Sequence, residues 1–240
     1  MKNTIKRLIK SILNRLGYEI KVKQRNNQNA IIDKINTLNI DILFDVGANT
    51  GQSAIEYFNN GFKGSIVSFE PLLNEYIVLK QNSKKYKNWI VAPRMAIGDK
   101  DGYIKINVAG NSGSSSILPM MDTHLNAAPN SGYVGVQEVE IKKLDSISEI
   151  YINESSSVFL KIDTQGYESQ VLKGSSDLLK KTKGLHLELS LVELYSGQTL
   201  WKELIEQIEK MGFVLWSIEP GFSDLKTGKM LQIDVIFFRN

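Results

Sequence analysis

The chain has 240 residues, 42% hydrophobic and 23% charged, with a formal net charge of +3, enough for one α/β domain with a full core. It has no cysteine, which excludes disulfides, thiolate metal sites and thiol nucleophiles. No run approaches the roughly 20 apolar residues of a membrane span. The start lacks the apolar core and small-residue cleavage site of a signal peptide, so a cytoplasmic location is expected.

Charge is uneven along the chain. Residues 1–32 carry eight Lys or Arg against one acid, Glu19, a balance of +7 that leaves −4 for the remainder. A mildly acidic body lacks the basic footprint of a nucleic-acid binder. In the basic part, Ile5, Leu8, Ile9, Ile12, Leu13 and Leu16 fall at helical spacing, which predicts an amphipathic helix over 3–16. Two placements are open. Residues 1–16 lie peripherally on the inner membrane surface, or they pack on the body or on a partner subunit of a homo-oligomer. Residues 26–29 read as a polar linker, and a second helix near 29–38 completes an N-terminal helical extension over 1–40.

From 41 to 240 strands and helices alternate. Strand one, about 41–46, runs through Ile42-Leu43-Phe44-Asp45-Val46 into the turn Gly47-Ala48-Asn49-Thr50-Gly51 and a helix over 51–60. That is a buried parallel strand ending at a ligand-binding turn. A dinucleotide site wants G-x-G-x-x-G, so that the backbone approaches a pyrophosphate. Here Asn49 stands between two glycines, and Asp45 is expected to face the ligand. A carboxylate there repels a pyrophosphate but attracts an ammonium and a sulfonium, which favours S-adenosylmethionine over NAD. A tight turn without a ligand is the plainer alternative.

Strand two, 65–70, ends at Glu70, nineteen residues past Gly51, placed to hold both hydroxyls of a ribose. Pro71 suits the first turn of the next helix, which runs to about Lys85. Strand three lies near 89–92. The turn Gly98-Asp99-Lys100-Asp101-Gly102 separates two extended runs and predicts a hairpin, with an antiparallel edge strand over 103–108. Residues 109–135 are rich in Gly, Ser, Asn and Pro, and a loop this long inside a domain is expected to serve as a lid over the cofactor.

A strand over 136–144 leads into a short helix at Leu144. Strand four, 158–163, ends at Asp163, and Thr164 opens a helix to about Lys181. Strand five, 185–191, carries His186 and Glu188. A helix over 199–211 and strands over 213–218 and 231–238, forming an antiparallel pair, complete the chain.

Ligands of open α/β sheets bind at the carboxyl ends of strands, which ranks Asp45, Glu70 and Asp163 first. Asp163 is placed to take a proton from an acceptor hydroxyl, to hold a divalent metal or to orient a substrate; capping the following helix is the alternative. Lys161 shares its strand face, either in a structural ion pair or polarising a substrate. Glu168 falls in a first helical turn, where the dipole alone favours an acid, yet it lies close to Asp163. His186 suits proton transfer near neutral pH, although a single His in an apolar strand is more often a hydrogen-bonded core residue. His124, in the lid, reads as solvated. With no H-E-x-x-H and no histidine cluster, no metal site is predicted, and the absence of G-x-S-x-G argues against a hydrolase nucleophile elbow.

The segments FDVGANTGQSA (44–54), VSFEP (67–71), AIGDKDG (96–102), GNSGSSSI (110–117), KLDSI (143–147), LKIDTQGYESQVLKG (160–174), HLELSLVELYSGQ (186–198) and LQIDVIFF (231–238) together resemble the FkbM family of S-adenosylmethionine-dependent methyltransferases, in family order. The resemblance implies a class I methyltransferase, Rossmann-like fold: a seven-stranded, mostly parallel sheet with the last strand antiparallel and helices on both faces. It implies O-methylation of a sugar hydroxyl in a glycan or natural product. Asp45, Gly47, Ala48, Asn49 and Gly51 then match the methionine-end motif, and Glu70 with Pro71 the ribose end. Ala96, Ile97 and the Ser114–Ser116 stretch, Ser115 included, match adenine-side and lid contacts. Asp163, Glu168 and Glu188, with His186 as a further catalytic candidate, match the acceptor side. A catalytically degenerate cofactor-binding partner in a glycan-assembly complex is the competing reading.

Overall fold

The computed structural model describes residues 27–239. The helix expected over 3–16, and with it the choice between membrane and protein packing, lies outside them. Residues 27–29 are not a linker: helix α1 spans Asn27–Thr37. Its Ile31, Ile32 and Ile35 are buried in one cluster with Leu43, Phe159 and Ile236, so it packs on the sheet that follows.

That sheet is built from β1 (Ile42–Val46), β2 (Ser65–Phe69), β3 (Trp89–Val91), β7 (Val158–Ile162), β8 (Thr182–Ser190), β9 (Phe213–Pro220) and β10 (Gln232–Arg239), in the order β3-β2-β1-β7-β8-β10-β9. The first five positions run parallel, and β10 is antiparallel to both neighbours. This is the arrangement expected of a class I methyltransferase sheet. β1 and β7 are buried along their whole length, as continuous apolar runs of a parallel sheet must be.

Alternation divides the strand side chains between two layers. Ile42, Phe44 and Val46 pack under α6 (Glu168–Lys173), α7 (Leu178–Lys181) and α8 (Trp201–Lys210). Leu43 and Ile66 pack under α1, α2 (Gln52–Asn59) and α3 (Leu73–Ser83). The expected helix 164–181 is two short helices, broken at Gly174, whose Cα lies against the Gly98 carbonyl with no room for a Cβ.

The hairpin expected around Gly98–Gly102 does not form. β4 (Ala96–Ile97) and β5 (Gly102–Ala109) flank β6 (Tyr133–Lys142), parallel and antiparallel to it respectively. The turn therefore crosses over β6, and two tight strands of this small sheet bring Ala96, Ile97 and Ile106 beside the end of β2. Between β5 and β6 the predicted lid is ordered, with α4 (Asp122–Ala127) and two 3-10 turns, at 112–114 and 129–131.

Candidate active site

The turn after β1 takes its shape from three residues. Gly47 (φ 78°), Asn49 (φ 50°) and Gly51 (φ 94°) are left-handed, a region open to glycine and most tolerated by Asn among the rest. The N–H groups of Gly47 and Ala48 both donate to the Phe69 carbonyl, locking the turn onto the end of β2. Glu70 holds it from the other side: Oε2 accepts the Asn49 N–H at 2.7 Å, and Oε1 accepts the Leu72 N–H at 2.8 Å. Asn49 Nδ2 donates to Ser112 Oγ (3.2 Å), tying the segment between β5 and β6 to the turn.

A cavity of about 100 Å³ opens above this turn. Of the residues expected to bind a cofactor, Gly47, Asn49, Glu70, Pro71, Ala96, Ile97, Ser115 and Asp163 line it, with Met95, Ile106, Ile117 and Gln165. Ala48 lines a neighbouring passage of about 310 Å³. Gly51 lines neither, and its role is steric: a Cβ there would strike the Trp89 ring. Pro71 precedes α3 rather than starting it, since Leu72 is the capping residue.

Asp45 departs from expectation. It is 1% exposed and is absent from the linings of both cavity and passage. Strand alternation turns it under the α1–α3 layer, where its Oδ1 lies 3.3 Å from Lys161 Nζ and its Oδ2 accepts from Ser68 Oγ at 3.2 Å. Of the two aspartates, Asp163 is the one that lines the cavity.

The lining fits an S-adenosyl group better than a dinucleotide. Met95, Ile97, Ile106 and Ile117 give apolar walls for a base, Glu70 and Asp163 offer carboxylates to hydroxyls and cations, and no Lys or Arg is present to meet a pyrophosphate. Burial pushes the Glu70 carboxyl up to about 7, against the lowering pull of its two backbone donors. A ribose diol donates to the ionised carboxylate, so affinity for S-adenosylhomocysteine should rise as pH climbs from about 5 to 7 and then level off. In Glu70→Gln the affinity should be lower and pH-independent, which calorimetry across that range checks. The stability of the free protein runs the opposite way. A folded pKa above the unfolded 4.5 means this group's contribution is complete below 4.5 and is lost as pH rises through 7.

A second cavity of about 250 Å³ lies on the α1–α2 side of the sheet, lined by Tyr57, Lys161, Asp163, His186, Glu188, Glu219 and Asp234, among others. Asp163 lines both cavities and the passage between them. It does not cap a helix. Oδ1 accepts from Gln165 Nε2 at 2.8 Å, and Oδ2 lies 3.4 Å from Lys161 Nζ. Gln165, left-handed at φ 55°, also donates from Nε2 to Glu188 Oε2 (2.7 Å), while its Oε1 accepts from the Tyr195 hydroxyl (2.8 Å). Gln232 adds a second donor to Glu188 Oε2. Burial, then Asp163, Asp234 and Glu168, push the Glu188 carboxyl well up, which favours its protonated form in the cavity beside Asp163.

The other two catalytic candidates are occupied. Glu168 Oε1 accepts from the N–H groups of Thr164 and Gly166 and from Thr164 Oγ1; it shapes the loop that carries Gln165 and lines none of these cavities. His186 sits in the second cavity, but both ring nitrogens are engaged, Nδ1 with the Tyr57 hydroxyl (2.9 Å) and Nε2 with Asp234 (3.1 Å). With neither nitrogen free to reach an acceptor, its role is to orient Tyr57 and Asp234. His124 is 2% exposed, against the expectation of solvation: it packs between Tyr195 and Phe222 and bonds to Ser114 Oγ.

The sequence reading missed Gln165, Tyr195 and Asp234. A polar residue two positions past a strand-end acid, and a lone acid in the apolar run 231–238, were the available signals. Among the described residues no group of three or more His, Asp or Glu is arranged to hold a metal, and no helix is long and apolar enough to cross a membrane.

The family described as the methyltransferase FkbM domain matches residues 45–215. The chain is 24% identical over 180 residues to the 2-O-methyltransferase NoeI of Sinorhizobium fredii, spanning 72% of this chain and 73% of that one. It is 22% identical over 157 residues to the hexuronic acid methyltransferase AglP of Haloferax volcanii, spanning 65% of this chain and 57% of that one, less than two thirds of its length. A solved precorrin-6y C5,15-methyltransferase from Geobacter metallireducens aligns over 91% of both chains at 13% identity, with a TM-score of 0.46. With more than two thirds of its length matched, the chain belongs to the FkbM-domain methyltransferase family.

Proposed function

We propose that the protein transfers a methyl group from S-adenosylmethionine to a hydroxyl of a sugar unit in a glycan or natural product. The observation that carries this is Asp163, which lines both an apolar-walled cavity that also holds Glu70 and a larger cavity rich in polar side chains. When bound, S-adenosylmethionine supplies a methyl group activated on a sulfonium. Glu70 and the Gly47–Asn49 turn would hold its ribose and amino-acid portions, and Met95, Ile97 and Ile106 its base. The chain's own contribution is approximation and proton removal. Asp163, shared by both cavities, takes the acceptor's hydroxyl proton. Glu188, neutral and held by Gln165 and Gln232, donates to a neighbouring oxygen of the acceptor. The names of NoeI and AglP, a 2-O-methyltransferase and a hexuronic acid methyltransferase, support a sugar hydroxyl as the target.

The test is methyl transfer from methyl-labelled S-adenosylmethionine to a panel of glycans, with S-adenosylhomocysteine quantified in parallel. Acceptor-dependent label in an alkali-stable ether is the expected result. Saturable cofactor binding with no transfer to any hydroxyl would favour the degenerate-partner reading.

A further inference from the structure

Among the described residues lining the two cavities and the passage, Lys161 is the single Lys or Arg. It is 5% exposed and sits on β7 directly opposite Asp45 of β1 and His186 of β8. Its ammonium lies between two carboxylates, 3.3 Å from Asp45 Oδ1 and 3.4 Å from Asp163 Oδ2. The two partners differ in kind. Asp45 is fully buried and anchored by a chain in which Trp89 Nε1 donates to Ser68 Oγ (2.9 Å) and Ser68 Oγ donates to Asp45. Asp163 is one-third exposed to the cavities.

We propose that Lys161 is a positioning residue for methyl transfer: anchored from behind by Asp45, its ammonium holds the Asp163 carboxylate aimed at the junction of the two cavities. This rests on the functional reading given above. Its physical basis is the excess of acids around Asp163. Asp45 on β1, Glu168 on α6, Glu188 and His186 on β8, Asp234 on β10, Glu219 on β9, and Glu56 and Tyr57 on α2 face this region. With so many acids near, the ammonium offsets the repulsion that would otherwise turn the Asp163 side chain away from them. Lys161 cannot serve as the base itself. Burial alone would favour its neutral form, but Asp45 and Asp163 outweigh burial and keep it protonated. Nor is it a surface pair, because Lys161 is 5% and Asp45 1% exposed, and of its two partners only Asp163 lines the cavities.

The test compares kcat for methyl transfer with the affinity for S-adenosylhomocysteine, measured by calorimetry, on the full chain. Lys161→Arg keeps the cation and should retain kcat within about fivefold, whereas Lys161→Met should lower kcat by about fiftyfold or more while S-adenosylhomocysteine affinity stays within a few-fold. Lys161→Met leaves Asp45 buried without a counter-ion, and the double variant Lys161→Met/Asp45→Asn removes that penalty should the single one fail to fold; the same split is expected there. An unchanged kcat in a cooperatively folded Lys161→Met or double variant, or a parallel loss of affinity and kcat, overturns the proposal and leaves Lys161 a structural residue. If the wild type binds no S-adenosylhomocysteine or transfers no methyl group, the functional reading fails, and the proposal with it.

Discussion

Replacing Asp163 with Asn is expected to lower turnover by about 10²–10³-fold, the usual range for a lost general base, while leaving S-adenosylhomocysteine affinity within a few-fold. The substitution is nearly isosteric, and the backbone position is fixed independently of the side chain: the Asp163 N–H donates to the Val46 carbonyl at 3.0 Å. The asparagine can still accept from Gln165. What disappears is the negative charge at the one position shared by both cavities. A steady-state comparison with matched calorimetry separates the two effects. An unchanged kcat would remove Asp163 from proton transfer, and a large parallel loss of S-adenosylhomocysteine binding would make its role structural.

Gly47→Ala should be the more destructive change, because it acts on the fold and on the site together. Gly47 has φ 78°, a region that costs a residue with a side chain about 1–3 kcal/mol. A Cβ at this position would also overlap the Asp163 carbonyl oxygen. Relief requires the ends of β1 and β7 to separate, which breaks the Asp163–Val46 hydrogen bond and displaces Asp163 from the junction. We expect a loss of at least ~3 kcal/mol in stability and no measurable cofactor binding even where the variant stays folded. Chemical denaturation and calorimetry measure the two. A variant with near wild-type stability and affinity would mean that the turn is not packed against β7 as described.

Much of this was legible in the sequence because it follows from local rules. Buried parallel strands read as unbroken apolar runs, the acids at their ends stand out, and a turn with glycine and asparagine at left-handed positions announces itself. Glu70 was identifiable for this reason. The errors arose where a side chain's partner comes from far along the chain. Asp45 and Asp163 are both acids near strand ends and both neighbour Lys161, but Asp45 lies inside β1, covered by the helices, whereas Asp163 lies one residue past β7, where the cavities open. The hairpin at Gly98–Gly102 failed because β6, some forty residues later, inserts between its two arms. His186 looked like an available base until Tyr57 and Asp234, from α2 and β10, took both of its nitrogens. Gln165 drew no notice because an amide has no charge to mark it, yet it joins Asp163 and Glu188.

The most direct test of the account is a calorimetric titration of the full chain with S-adenosylmethionine, S-adenosylhomocysteine and NAD, repeated on Glu70→Gln. The account predicts saturable one-site binding of the first two, weakened in the variant, and none of NAD. Binding of NAD alone, or of none of the three, would contradict it.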